Sequence, residues 1–167
     1  EIARWNLERL AEALAVTAPE SGDLAQGLAR YDEIYASEFR RAFAAKFGFA
    51  AWRDEDAQLI EDVFDLMQRA EVDMTLFFRL LASIDTENPD LSALHSAFYR
   101  EELFERHAGD FLTWLQRWAG RVRSEGEPDV SRVARMNVVN PLYVLRNCLS
   151  QQAIDRAEQG DLAMIHE

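Results

Sequence analysis

Apolar residues recur at steps of three and four along nearly the whole chain, which is the spacing of one face of an α-helix. The clearest stripe begins after Asp23 and consists of Leu24, Leu28, Tyr31, Tyr35, Phe39 and Phe43. It predicts a helix of about 24 residues, roughly 36 Å long, that Gly48 ends.

Two more helices flank this one in the sequence. The first is expected from Ile2 to about Ala18, with Pro19 ending it. The next begins at Asp54 or Asp56, since either side chain is a typical N-cap. Its apolar stripe consists of Ile60, Val63, Phe64 and Met67.

The middle of the chain predicts three helices and a loop. Asp73 is the expected N-cap of a short helix that is apolar on nearly all sides, which places it at the centre of the fold. Ile84–Asp90 is a predicted loop, and a helix with Leu91, Leu94 and Phe98 follows it. The next stripe consists of Phe111, Leu115, Trp118 and Val122, with Trp114 beside it.

The last third begins with a polar break at Ser124–Asp129, which is a candidate hinge. Pro141 suits the first turn of a helix, so we expect a helix from Pro141 to Gly160 with Asn140 as its cap. Asp161 then opens one more turn. No strand pattern of useful length interrupts the series, which predicts an all-α bundle of about eight helices in a single domain, 1–167.

Composition narrows the expected partners. The formal net charge of −12 repels nucleic-acid phosphates, and no apolar run reaches the length of a membrane span. Cys148 is the single cysteine, so no intrachain disulfide forms, and its place in an apolar stripe predicts a buried, inert thiol. The sequence does not begin with Met, and we expect it to be part of a longer chain.

Motifs for catalysis are hard to find. No glycine-rich phosphate loop is present, and His95, His107 and His166 lack the spacing of zinc ligands. Glu61 and Asp65 share a helix face, and a pair of this kind holds a metal in some hydrolases, although a solvated surface is the favoured interpretation.

The densest polar cluster lies in the last third and consists of Arg135, Asn137, Asn140, Arg146 and Asn147, with Arg132 just before it. Arginines in such a cluster either bind phosphate or clamp carboxylates of neighbouring helices. We favour the structural role. Arg146 is therefore expected to be partnered and partly buried, so that its loss costs more stability than the loss of an exposed arginine such as Arg53.

Three blocks of the chain resemble the selenoprotein O (YdiU-type) family. They are RWNLERLAEAL (4–14), LIEDVFDLMQRAEVDMTLFFRLL (59–81) and RMNVVNPLYVLRNCLSQQAIDRAEQGD (135–161). The third is the most specific, and the order of the blocks resembles the C-terminal part of the family. Leu142 and Cys148 depart from the family pattern, which tends to have Lys and Tyr there.

The resemblance implies the C-terminal helical portion of a protein-kinase-like fold. Family members are pseudokinases that transfer AMP from ATP to Ser, Thr or Tyr hydroxyls of proteins, with Mg²⁺ or Mn²⁺. The residues that bind ATP and metal precede the first block, so no catalytic, cofactor-binding or metal-binding residue is carried over to this chain. Its implied partners are the kinase-like catalytic region and the protein substrates, in the cytoplasm of a bacterium or the mitochondrion of a eukaryote.

Three functions remain open from the sequence. The leading hypothesis is a helical region that supports a protein adenylyltransferase without being catalytic alone. A stand-alone acidic module that binds a basic protein is the alternative, and a metal-dependent hydrolase with paired carboxylates is the third. A piece of a larger fold should expose an apolar patch, through which homo-oligomers are also expected to form.

Overall fold

The computed structural model describes residues 2–17 and 24–166, and within these ranges the chain is all-helical. The one pairing of β type there is an isolated antiparallel bridge between Val72 and Phe98. The α-helices are α1 (Ile2–Thr17), α2 (Leu24–Phe47), α3 (Asp56–Ala70), α4 (Met74–Leu81), α5 (Glu101–Arg123), α6 (Asp129–Val139), α7 (Asn147–Glu158) and α8 (Ala163–His166), and a 3-10 helix (Leu91–Ala97) lies between α4 and α5. The all-α prediction is confirmed.

The core lies between the end of α2 and α6, where the apolar stripes of α3, α4 and α5 meet. Large rings fill its centre: Phe47, Phe77, Phe78, Phe111, Trp114 and Trp118 are all fully buried. Both indole N–H groups donate to backbone carbonyls, Trp114 to Leu59 at 2.8 Å and Trp118 to Phe47 at 2.9 Å. The two indole nitrogens therefore enter the core with their hydrogen bonds satisfied.

The strongest sequence patterns correspond to observed elements. α2 has the predicted length of 24 residues, and Gly48 follows it in the left-handed region with φ of 80°. The Asp73 carboxylate caps α4 by accepting the amide N–H of Leu76 at 3.0 Å. In α4, Phe77 and Phe78 are central as predicted, while Met74 is exposed.

Two predicted boundaries differ from the structure. α3 begins at Asp56 with Glu55 before it, because the Asp56 carboxylate turns back to accept the amide N–H of Arg53 at 2.8 Å instead of capping a later turn. The segment after the predicted loop forms a 3-10 helix that ends before Phe98, whose backbone is extended and pairs with Val72. The predicted stops at Ala18 and Pro19, and the predicted start at Asp23, lie outside the described residues.

The helix predicted from Pro141 to Gly160 is observed only from Asn147, so its predicted start at Pro141 and its predicted cap, Asn140, are wrong. Asn140 ends α6 instead, donating its N–H to the carbonyl of Met136 at 2.8 Å, and its extended backbone is the conformation that a following proline favours. α7 begins only at Asn147. The prediction of a buried Cys148 is also wrong, because the thiol is exposed on α7.

The two ends of the chain differ from the middle. None of the residues described in α1, α7 and α8 is buried, although each of these helices has large apolar side chains. α1 packs along the first half of α2, with an ion pair between Arg4 and Asp32 beside the contact. In the described residues no helix combines the length and the hydropathy that crossing a membrane needs.

Candidate functional site

The predicted polar cluster begins at the junction of α2 and α6. Arg135 donates to the carbonyls of Gly48 and Phe49, both at 3.0 Å, and also contacts the Glu127 carboxylate. These carbonyls follow the C-terminus of α2, where the helix leaves acceptors without partners of its own. Arg135 therefore satisfies acceptors at a helix end, and its charge opposes the negative end of the helix dipole.

Asn140 joins the same junction from the end of α6. Its side chain is fully buried, accepts from the Lys46 ammonium at 3.1 Å and donates to the Lys46 carbonyl at 2.9 Å. The ammonium lies 4.3 Å from the ring centre of Phe78, a cation–π distance. Burial lowers the pKa of Lys46 from its ordinary value.

A third contact at this junction involves the backbone rather than the side chain of Asn137. The guanidinium of Arg79 on α4 donates to the carbonyl of Asn137 at 3.3 Å and to that of Asn140 at 3.2 Å. Arg79 thus donates hydrogen bonds to carbonyls at the C-terminal end of α6, as Arg135 does to carbonyls that follow the end of α2. The junction connects α2, α4 and α6.

Arg146 lies outside this junction and contacts Asp73, the cap of α4, at 2.6 Å. The Tyr99 hydroxyl donates to the same carboxylate oxygen at 2.9 Å. Burial raises the pKa of Asp73, but the Leu76 amide, Arg146 and Tyr99 outweigh it, and the pKa lies below its ordinary value of 3.8. The hydrogen bond to Asp73 raises the pKa of Tyr99.

The predicted cluster therefore separates into parts. Arg135, Asn137 and Asn140 meet at the α2–α6 junction, Arg146 fastens the segment before α7 to the start of α4, and Asn147 is exposed as the first residue of α7. Arg135 and Arg146 both bind protein oxygens. The structural role that the sequence favoured over phosphate binding stays a prediction.

Sequence reasoning missed a buried ion pair between α3 and α5. Arg121 donates to both carboxylate oxygens of Asp56, at 2.6 and 3.0 Å, and Asp56 is fully buried. The same guanidinium reaches Glu125 at 2.7 Å and lies 4.5 Å from the ring centre of Phe49. Asp56 stands in an acidic run that is typical of a solvated surface, so the one-dimensional pattern held no signal for its burial.

Arg132 forms a second buried network that the sequence did not predict. Its guanidinium is fully buried 5.2 Å from the ring centre of Trp118 and donates to the Ile84 carbonyl at 2.7 Å and to Asp129 at 3.1 Å. Asp129 also accepts from the amide and the hydroxyl of Thr86. The candidate hinge thus ends at Asp129, whose carboxylate accepts three hydrogen bonds, two from Thr86 and one from Arg132.

The paired carboxylates considered for a hydrolase are both exposed. Asp65 forms an ion pair with Arg69 at 3.0 Å, and Glu61 lies at the edge of an apolar groove. No group of three or more His, Cys, Asp or Glu side chains in the described part of the chain has a geometry that holds a metal ion. His95 pairs with Glu101 at 2.7 Å.

This groove is an apolar depression of about 560 Å³ between the second half of α2 and the start of α3. We name it the α2–α3 groove, and its apolar walls consist of Tyr35, Phe39, Phe43, Trp52, Ile60 and Phe64. Arg40 and Glu61 are its charged residues. The sequence indicated the stripe on α2 but not that half of it would remain uncovered.

Comparison with known proteins places the chain in a family. The family model described as protein adenylyltransferase SelO matches residues 1–167. The chain belongs to the SelO family. The resemblance identified from the three sequence blocks is confirmed, and those blocks supply elements of the SelO fold described above: α1, the pair α3 and α4, and the α6–α7 region.

Curated SelO relatives share about half of their aligned residues with the chain. Proteins named protein nucleotidyltransferase YdiU are 54% identical over 166 residues in Tolumonas auensis, 50% over 165 in Methylobacillus flagellatus and 46% over 166 in Xanthomonas campestris pv. campestris. Each alignment covers 99% of this chain but 32% of the relative. All three are bacterial, so the mitochondrial alternative gains no support.

Proposed function

We propose that these residues form the helical C-terminal region of a SelO-type protein nucleotidyltransferase and that this region supports the catalytic part. The reaction proposed for the whole protein is transfer of AMP from ATP to Ser, Thr or Tyr hydroxyls of other proteins. Family membership and the names of the relatives support the nucleotidyltransferase class. ATP and Mg²⁺ or Mn²⁺ would bind in the remaining two-thirds of the protein.

The observation that carries the supporting role is the contrast between a closed core and uncovered ends. Residues 43–136 bury a continuous apolar core, whereas the described residues of α1, α7 and α8 bury none of their side chains. Large apolar side chains remain exposed on these helices: Ile2, Trp5, Leu10, Leu14, Leu149, Ile154 and Ile165. An amphipathic helix of this length gains most of its stability from packing, so its apolar face needs a partner.

The polar residues support the same role. The buried guanidiniums of Arg121 and Arg132 bind carboxylates and carbonyls from neighbouring elements, and each joins segments that are far apart in the sequence. Such pairs are costly to break once buried, because the remaining charge loses its partner. A region built this way holds a fixed shape, which suits a support for a catalytic lobe.

The direct test is AMP transfer by the 167-residue chain and by a full-length SelO protein that contains it. Each is incubated with Mg²⁺ or Mn²⁺, a bacterial lysate as protein substrate, and ATP labelled on its α-phosphate. We expect labelled proteins with the full-length protein and none with the 167-residue chain. ATP labelled on its γ-phosphate is the control, because a kinase would transfer that label and an adenylyltransferase would not.

Two results would contradict the proposal. Label transferred by the 167-residue chain alone would show that catalytic groups lie within it. Label transferred from the γ-phosphate by the full-length protein would assign a different reaction to the whole.

A further inference from the structure

The α2–α3 groove is open although its walls are aromatic. Successive rings along α2 are in contact, with centres 6.1 Å apart for Tyr35 and Phe39 and 4.2 Å apart for Phe39 and Phe43. Phe43 meets Phe64 of α3 edge to face at 5.9 Å, and this pair closes the floor. Phe39 nevertheless leaves 42% of its surface exposed. Covering such a surface removes apolar area from water, which gains about 25 cal/mol of free energy per Å² covered.

The groove continues the stripe that α1 already covers. Leu7 and Ile34 line the same crease between α1 and α2, and Tyr31 at the end of that crease stacks on Tyr35 at 5.7 Å. The covered half of the stripe therefore ends where the groove begins. α1 runs antiparallel to α2, as the ion pair between Arg4 and Asp32 shows, so its N-terminal end points along the groove.

We propose that the α2–α3 groove is filled by an apolar segment of the same SelO protein that lies on the N-terminal side of Ile2. The inference rests on the proposed function in taking these residues as the C-terminal part of a longer chain. A chain that continues α1 backward would meet the groove first at Tyr35, the ring that stacks on Tyr31. Relatives of which this chain covers 32% contain the length for such a segment.

The groove also specifies the chemistry of the segment. Its walls are apolar, so the buried side chains of the segment are aliphatic or aromatic at helical spacing. Arg40 and Glu61 are the charged residues of the groove, and they accommodate a carboxylate and a cation, respectively, at the edges of the segment. A second copy of the chain and a different protein are the other possible occupants of the groove, and the crosslinked partner in the experiment distinguishes the three.

The experiment is photo-crosslinking in the full-length protein. Phe39 is replaced by benzoylphenylalanine, the protein is irradiated, and the crosslinked peptides are identified by mass spectrometry. We expect a crosslink within one chain, at monomer mass, to a peptide N-terminal to Ile2. The control carries benzoylphenylalanine at Leu112, which is exposed on α5 outside the groove, and should not crosslink to that peptide.

Several outcomes would overturn the inference: a crosslink at dimer mass, a crosslink to another protein, a crosslink to residues 141–166, or none at all. A second measurement does not depend on crosslinking chemistry. Phe39→Asp should lower the melting temperature more in the full-length protein than in the 167-residue chain, and equal shifts would contradict a covered groove. Since neither measurement uses AMP transfer, failure here is distinguishable from failure of the proposed function.

Discussion

At the scale of single residues, the charged groups with the largest energetic role are those hidden in the core. We predict that Asp56→Ala lowers the free energy of unfolding by about 3 kcal/mol, because Arg121 would remain buried without its bidentate partner. Urea unfolding followed by circular dichroism measures the change. Asp65→Ala on the same helix is the matched control. This carboxylate is exposed, so its loss should change the free energy of unfolding by at most about 0.5 kcal/mol. Equal losses of stability from the two substitutions would contradict a stabilising role for the buried Asp56–Arg121 ion pair.

Asp73 combines two roles at one carboxylate, as the cap of α4 and as the partner of Arg146 and Tyr99. We expect Asp73→Ala to cost about 2 kcal/mol at pH 7, because a cap and charge-assisted hydrogen bonds are lost together. The pKa of Asp73 is lowered on folding, so its charge stabilises the protein above its ordinary value of 3.8, and this contribution is lost as pH falls through the lower folded pKa. The cost measured by urea unfolding should shrink below pH 4, and a cost independent of pH would refute this.

Arg146 tests the structural interpretation of the polar cluster. Arg146→Ala should lower the melting temperature more than Arg106→Ala, because Asp73 would lose a partner while Arg106 is exposed on α5 with no ion pair in the described structure. Arg53 is the weaker control, since it donates to the Ser124 hydroxyl at 2.9 Å. Differential scanning fluorimetry measures both melting temperatures. Equal shifts for Arg146→Ala and Arg106→Ala would contradict a stabilising contact between Arg146 and Asp73.

At the scale of elements, the close approach of α6 to the end of α2 depends on a glycine. A Cβ on Gly48 would lie 2.6 Å from the sulfur of Met136, which is fully buried, and φ is 80°. Gly48→Ala combines overpacking with backbone strain and should cost about 2–3 kcal/mol in thermal or urea unfolding.

Gly126 separates these two contributions. Its φ is 70° and a Cβ there would meet nothing within 4 Å, so Gly126→Ala reports backbone strain alone and should cost about 1 kcal/mol. If both substitutions cost the same, then the contact between Gly48 and Met136 has no energetic consequence.

Elements with a strong local pattern could be predicted, and elements decided by distant partners could not. The stripe of α2 and the cap of α4 are properties of neighbouring residues, and both are observed. The segment after Pro141 has a helical pattern too. It is nevertheless not helical before Asn147. Asn140, which ends α6, is bound by Lys46, a residue 94 positions away, and a contact at such separation leaves no periodic signal.

At the scale of the whole molecule, part of the candidate site could be predicted. The polar cluster was found because its arginines stand out in an acidic sequence, and three of its members, Arg135, Asn137 and Asn140, lie at one junction. The α2–α3 groove was not predicted as a site, since a half-covered aromatic stripe and a fully buried one have the same sequence pattern. Only the arrangement of α1, α2 and α3 distinguishes them.

The central claim is that these helices are completed by the rest of a SelO protein, and hydrogen exchange tests it most directly. Amides of α1 and of the second half of α2 are compared between the 167-residue chain and the full-length protein. We predict that these amides exchange more slowly in the full-length protein. The rate should fall tenfold for each ~1.4 kcal/mol that covering the apolar faces adds to the free energy of local opening. Amides of α5, in the shared core, should change least. Equal exchange of α1 and α2 in the two proteins would contradict the claim.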